Sequence, residues 1–594
     1  MTSSPGTDTS PAWSPDGEWI AFVSTRGGDG AQIYLLPAAG GEARKLTSMD
    51  GGASGPVWSR DGKKLLFMSE VWPEGDALAE RMMRLMEGES SAKIYDELGY
   101  RHWDTWEDGM RSHVFLIDVV SGETRDLTPG AYDTPPIALG GFQDYDLSPD
   151  GTELAFVRNT DMPTMVGTGN DIWRVPVTGG EPTLLTENDA NDTSPQFSPD
   201  GRWIAYLAMK RPGFEADRTR LVLFDRRSGE HRWVTEELDR SVDAFAWGAD
   251  SSFLVFLSQD RIWHSLYRFE VATGAITRLT EQTYNRAVSL LPDGRMVVAR
   301  QSNVMPAELF LLDERGQDLR QLTHTNDTLL AELDLSPPQV FTFRGAGNTE
   351  VEGFLTLPPG FDPARKYPLV YLVHGGPQGA WSDNFHYRWN PNMFAAPGYV
   401  VLSVNPRGST GYGQRFTDEI SRDWGGKVFD DLMKGLDHAL RTWSYIDDTR
   451  MAAAGASYGG YMMNWFEGHT DRFLTLVNHD GVANTVSMYG TTEELWFPEW
   501  EFGGMPWTSR RLYERWNPLG DVSDYSTSML IIQGGLDYRV PLGQGLEMFT
   551  TLRRLGIRSR LLYFPDENHW VLRMHNAFVW WETVLDWLAE YLQP

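Results

Sequence analysis

In the first half of the chain, short apolar runs such as Trp19-Ile20-Ala21-Phe22 and Trp203-Ile204-Ala205-Tyr206 follow tight polar turns. The turns repeat as Trp13-Ser14-Pro15-Asp16-Gly17, Trp58-Ser59-Arg60-Asp61-Gly62, Leu147-Ser148-Pro149-Asp150-Gly151 and Phe197-Ser198-Pro199-Asp200-Gly201. Two degenerate copies follow, Trp247-Gly248-Ala249-Asp250-Ser251 and Leu291-Pro292-Asp293-Gly294. Their aspartates stand 45, 89, 50, 50 and 43 residues apart. Asp-Gly between apolar strands signals a hairpin, because glycine accepts the positive φ that the turn demands. A second strand comes next (Ile33-Tyr34-Leu35-Leu36; Leu221-Val222-Leu223-Phe224), then an ending such as Lys45-Leu46-Thr47, Asp126-Leu127-Thr128 or Arg278-Leu279-Thr280. Short strands recurring every ~40–50 residues predict a β-propeller, here with six repeats. The shared turn and ending argue against an irregular β-sandwich. The longest interval contains an insertion from Val71 to Gly109, with helix-forming composition over 77–98 and a dense run of aromatic and charged residues from Tyr95 to Trp106.

After Ser336-Pro337-Pro338 the pattern changes. Apolar strands over 368–373, 399–404, 451–454, 473–477, 529–532 and 561–564 now alternate with helical stretches over 428–442, 458–467, 543–555 and 577–592. That alternation predicts a largely parallel sheet covered on both faces. The domains expected are a β-propeller over 1–335 and an α/β domain over 336–594.

The second domain carries the chemistry. Gly455-Ala456-Ser457-Tyr458-Gly459 fits G-x-S-x-G between an apolar strand and a helix, the sharp turn that holds a nucleophile clear of the sheet. A serine hydroxyl needs a base. Asp537 follows the strand at 529–532 and His569 follows the strand at 561–564, where such a sheet presents loops at its carboxyl edge. Ser457, Asp537 and His569 stand in the α/β-hydrolase order. His569 would act as base and then acid, and Asp537 would fix its tautomer. The oxyanion needs N–H donors: the Tyr458 amide is one, and the loop His374-Gly375-Gly376-Pro377 should supply the other.

Composition narrows the partners. The formal charge of −30 disfavours nucleic acid and anionic lipid. There is no cysteine, which rules out disulfides, thiolate metal sites and a thiol nucleophile. No nucleotide loop, zinc motif or calcium loop is visible, so no cofactor or metal is expected. No apolar run approaches the ~18 residues of a membrane span.

These segments resemble the prolyl oligopeptidase family of serine peptidases, which join an N-terminal β-propeller to a C-terminal α/β-hydrolase domain. The matching stretches are His374 to Pro377, Asn405-Pro406-Arg407-Gly408-Ser409-Thr410-Gly411-Tyr412-Gly413, Gly455 to Gly460, Asp537-Tyr538-Arg539-Val540 and Glu567-Asn568-His569. Tyr95 to Trp106 and the stretch from Ser487 to Trp500 look like the acylaminoacyl-peptidase and dipeptidyl-peptidase 5 branch. The resemblance implies that Gly376 is the second oxyanion donor and that Arg539 binds a substrate backbone carbonyl. It also implies that Val540, Trp496 and Phe497 line an apolar pocket for the residue before the cut.

The function expected is removal of N-terminal dipeptides from short unstructured peptides, with an apolar or small residue at the cut. A free ammonium calls for nearby carboxylates, and Glu97, Asp104, Glu493 and Glu494 are the candidates. The alternatives are an acylaminoacyl peptidase, an esterase and a non-catalytic propeller interaction protein, and a homo-oligomer is left open. As it stands, the chain shows no export address and reads as cytoplasmic. Family propellers usually have seven blades; if a further blade and a signal segment precede Met1, the compartment is periplasmic or extracellular.

Overall fold

The structure is a computed structural model that describes residues 4, 6–73, 92–160 and 167–593. It divides into two compact units, Met1–Tyr100 with Trp106–Glu237, and Arg101–Thr105 with Leu238–Pro594.

The first unit contains four-stranded antiparallel sheets that begin at Asp8, Gly51, Tyr145 and Asp192. The repeated turn has a physical reason. Ser59, Ser148 and Ser198 each donate to the aspartate two residues on (2.6–2.7 Å) and accept from the amide five residues on (2.9 Å). The threonine of the ending is equally functional. Thr47, Thr128, Thr186 and Thr235 each accept, at 2.9 Å, the amide of the residue 14 positions earlier on the neighbouring strand. Every repeat therefore locks its own hairpin and its own closing strand. The insertion leaves and re-enters one sheet between Lys64–Val71 and Arg111–Asp118, which pair antiparallel. Most of the helix expected over 77–98 lies outside the described residues, and 92–98 is irregular.

In the second unit the same grammar continues through Ala244–Trp247 to Asp318–Gln321. These strands form two more four-stranded sets, joined by a single parallel bridge between His264 and Tyr284. Thr280 and Thr323 repeat the 14-residue contact. The pattern then switches to an eight-stranded sheet of β1 (Gln339–Arg344), β2 (Glu350–Thr356), β3 (Tyr367–Val373), β4 (Val400–Asn405), β5 (Ile446–Ala456), β6 (Thr475–His479), β7 (Ser528–Gly534) and β8 (Ser559–Phe564). Its order is β1-β2-β4-β3-β5-β6-β7-β8, parallel from β4 onward. Strands β3, β4 and β6 are buried along their whole length, and β3 and β4 accordingly read as near-continuous apolar runs rather than alternating ones.

Helices α1 (Lys427–Thr442), α2 (Tyr458–His469), α3 (Trp496–Phe502), α4 (Gly543–Arg554) and α5 (Met574–Leu592) accompany the sheet. On α1 the buried positions Val428, Leu432, Gly435, Leu436 and Ala439 form one stripe at helical spacing. Trp580, Val584, Trp587 and Leu588 of α5 pack with Val370, Leu372, Ala452, Val477 and Leu530 of the sheet. This buried core holds the carboxyl ends of β5, β6, β7 and β8 side by side, which matters for the site.

Candidate active site

Strand β5 delivers Ser457 to the carboxyl edge of the sheet, and α2 starts at the next residue. Ser457 has φ 58° and ψ −117°, a backbone region that side-chain-bearing residues occupy only under strain. The turn is tight because α2 approaches β3 closely: a Cβ on Gly459 would lie 2.3 Å from the Val373 carbonyl oxygen. The Ser457 amide donates to the His479 carbonyl at 2.9 Å, tying the turn to the end of β6. A hydroxyl lifted off the sheet and an amide at a helix N-terminus are the two parts of a nucleophile elbow.

Asp537 follows β7, His569 follows β8, and the two meet. His569 Nδ1 lies 2.7 Å from Asp537 Oδ2. Asp537 Oδ1 accepts the amides of Arg539 (3.0 Å) and Val540 (2.8 Å). Both carboxyl oxygens are thus engaged, and the imidazole is held with Nδ1 towards the acid. Asp537 and His569 are buried.

A second carboxyl group stands beside the same ring. Asp480 follows β6 with φ 49°, and its Oδ2 is 3.9 Å from His569 Nδ1. That oxygen also lies 2.9 Å from His479 Nε2, but out of hydrogen-bonding alignment. The Gly534 amide donates to Oδ1 at 3.3 Å. Burial, and after it the neighbouring Asp537, pushes the Asp480 carboxyl well above the usual carboxylate range. Burial, and then Arg388, pushes His479 down to about 3, so its ring is neutral. The His479–Asp480 pair therefore touches the Ser457 amide on one side and the His569 ring on the other.

The loop after β3 packs against the elbow: a Cβ on Gly375 would come within 3.3 Å of Ser457 Cβ. Gly376 has φ +125°, and a Cβ there would meet the Gln378 nitrogen at 2.5 Å. Buried Glu501 on α3 secures the loop by accepting from Gln378 Nε2 (2.9 Å), Ser421 Oγ (3.0 Å) and Trp424 Nε1 (2.7 Å). His374, pushed down to about 4 by burial, is neutral and bridges the Gly375 carbonyl (2.8 Å) and Ser409 Oγ (2.9 Å).

The substrate-binding candidates fall into groups. Arg539 is shared between Glu493 and Glu494, at 2.9 Å each, and its guanidinium lies 5.0 Å from the centre of the Trp103 ring. Burial opposes ionisation of Glu493, but the His102 hydrogen bond (2.8 Å) and the Arg539 charge outweigh it and hold the carboxyl below its usual range. Asp104 accepts from Asn568 Nδ2 at 2.8 Å, next to His569. Phe497 packs on Trp424 (5.8 Å between rings), which packs edge-on against Tyr458 (5.2 Å). Val540 is buried and tied to Asp537, and Trp496 is buried at the start of α3. Glu97 is exposed and belongs to the first unit.

Sequence reasoning missed several of these residues. Asp480 occupies the same strand-end position as Ser457, Asp537 and His569, a signal present in the chain but not used. Trp103 meets the His569 ring edge-on at 6.0 Å, and His102 and Trp103 come from the same aromatic run as the candidates Glu97 and Asp104. Trp424 and Glu501 carry no local signature.

The family model for the prolyl oligopeptidase family matches residues 385–594, and that for the TolB beta propeller domain matches residues 1–87 and 142–330. The chain is 37% identical over 536 residues to the probable dipeptidyl-peptidase 5 of Emericella nidulans, covering 84% of this chain and 74% of that protein. It is 32% identical over 619 residues to dipeptidyl-peptidase 5 of Porphyromonas gingivalis, covering 100% of this chain and 88% of that protein. Among solved structures, an acylaminoacyl peptidase in complex with Z-Gly-Gly-Phe-chloromethyl ketone matches with a TM-score of 0.84 at 22% identity, over 99% of this chain and 89% of that one. A Mycobacterium tuberculosis puromycin-hydrolyzing peptidase matches with a TM-score of 0.70 at 18% identity, over 99% and 86%. At those identities the likeness is one of fold, a β-propeller region followed by an α/β-hydrolase domain. On the strength of the curated relatives and the matched domain, the chain belongs to the prolyl oligopeptidase family of serine peptidases.

Proposed function

We propose that the protein is a dipeptidyl peptidase acting on short unstructured peptides, with Ser457, His569 and Asp537 as its triad. Ser457 attacks the carbonyl after the second residue, and His569 takes its proton and passes it to the leaving amine. Asp537 keeps the imidazole in the required tautomer and stabilises the imidazolium. The amides of Tyr458 and Gly376 receive the oxyanion. Water, activated by the same histidine, then releases the dipeptide. Phe497, Trp496 and Val540, with Trp424, form the apolar pocket before the cut, and Arg539 meets a backbone carbonyl.

The observation that carries the dipeptidyl reading is the buried pair Glu493 and Glu494. Both carboxyl groups share one guanidinium, and Arg539 is itself bonded through its amide to Asp537. Carboxylates held in a water-poor site one residue pair from the triad suit a substrate ammonium. A free-amine dipeptide chromogenic substrate should be preferred over its N-acetylated twin by at least about tenfold, equivalent to ~1.4 kcal/mol of transition-state binding. Glu493→Gln should erase that gap.

One observation favours a second reading. His102 and Arg539 already engage Glu493, so the site could accept a neutral, blocked terminus. Preference for the acetylated twin would make the enzyme an acylaminoacyl peptidase and leave the triad untouched.

Asp480, Asp537 and His569 present potential ligand atoms within 4.8 Å of one another, a spacing that a metal ion could use. In the triad reading His569 and Asp537 serve the serine, so EDTA should leave kcat/KM unchanged. Inhibition by EDTA that zinc reverses would contradict the serine mechanism.

A further inference from the structure

Two carboxyl groups, not one, converge on the inner nitrogen of His569. Asp537 arrives from the end of β7 at 2.7 Å, and Asp480 from the end of the adjacent β6 at 3.9 Å. Asp480 is 1% exposed, and its backbone is in the left-handed region. Its Oδ2 has no hydrogen-bond partner among the described residues. A buried carboxyl oxygen without a partner is destabilising, and the triad chemistry described above does not use it.

We propose that Asp480 is a second positioning carboxyl for His569, able to take the Nδ1 contact when Asp537 is lost. This rests on the triad proposed above. Closing about 1 Å would bring Asp480 Oδ2 into hydrogen-bond range of Nδ1, and the two acids already flank the same atom from neighbouring strands. The groups that face Asp480 are its own neighbour His479, Asp537 and His569 from the loops after β7 and β8, the Gly534 amide at the end of β7, and Arg388 from the loop before Pro391–Ala395. Burial and the Asp537 charge keep Asp480 protonated, while His569, the Gly534 amide and Arg388 favour its anion. Two buried acids this close hold one negative charge more readily than two. With Asp537 in place, Asp480 is the neutral member. Without it, the main opposing charge is gone, Asp480 releases its proton to solvent, and the anion pairs with the imidazole.

The test is a double-mutant cycle read by kcat/KM on a peptide substrate and by the rate of fluorophosphonate labelling. Labelling does not depend on peptide specificity, so failure of the dipeptidyl reading leaves the cycle interpretable, and failure of the triad shows separately as undiminished labelling of Ser457→Ala. Asp480→Asn, which mimics the protonated acid in shape, should cost about three- to tenfold in the wild-type background. Asp537→Ala should cost about a hundredfold rather than the roughly 10⁴-fold expected of a triad acid with no substitute. Adding Asp480→Asn to Asp537→Ala should then cost a further hundredfold or more. The activity of Asp537→Ala should also climb with pH as Asp480 ionises, a limb absent from the wild type. That profile decides the matter on the single variant if the double variant does not fold. An equal cost of Asp480→Asn in both backgrounds, or an Asp537→Ala profile of wild-type shape, would overturn the proposal.

Discussion

Ser457→Ala is expected to lower kcat/KM by roughly 10⁴-fold or more, because the triad acts as a unit and only binding and oxyanion stabilisation survive its loss. The fold should be unaffected. The change removes one hydroxyl, while the turn that positions it is set by the close approach of Gly459 to β3 and by the bond from the Ser457 amide to His479, neither of which involves the side chain. Thermal unfolding should therefore be close to wild type while turnover collapses. Retention of more than about a hundredth of the activity would place the nucleophile elsewhere.

The second large effect is expected at Gly376, which has no side chain to lose. With φ at +125° and the Gln378 nitrogen only 2.5 Å from where a Cβ would stand, Gly376→Val must move the loop. The loop cannot move far without breaking the Gln378–Glu501 contact and the His374 bridge to Ser409. The strain should therefore appear as a rotated or displaced amide. Losing one oxyanion donor costs about a hundred- to a thousandfold in rate. Steady-state kinetics should show the fall chiefly in kcat, with KM changed less. Near-normal turnover would mean that the hole is built from other amides.

Much of this was legible in the sequence because it is written in local patterns. The Ser-x-Asp-Gly turns and Leu-Thr endings announce the propeller strands, and each of those residues makes a short-range bond that repeats with the unit. The buried parallel strands announce themselves as apolar runs, and the elbow lies between one of them and a helix. What stayed hidden depends on contacts between distant residues. His102 reaches Glu493 across 391 positions and Asp104 reaches Asn568 across 464, and no periodicity marks such pairs. Glu97 and Glu493 could not be told apart among 82 acids; burial separates them, since Glu97 is exposed and Glu493 is 4% exposed. Phe497 was expected in the pocket, but its partner Trp424 sits in an irregular stretch before α1 and gave no sign. Asp480 was readable as a strand-end acid, yet its meaning depends on β6 lying beside β7, which the order of elements along the chain does not state.

The most direct measurement is the site of covalent labelling by a fluorophosphonate, mapped by peptide mass spectrometry on the native full-length chain. The account predicts one adduct, on Ser457, which forms quickly in the wild type and is absent from Ser457→Ala. A label on another residue, or none on a folded and active protein, would contradict it.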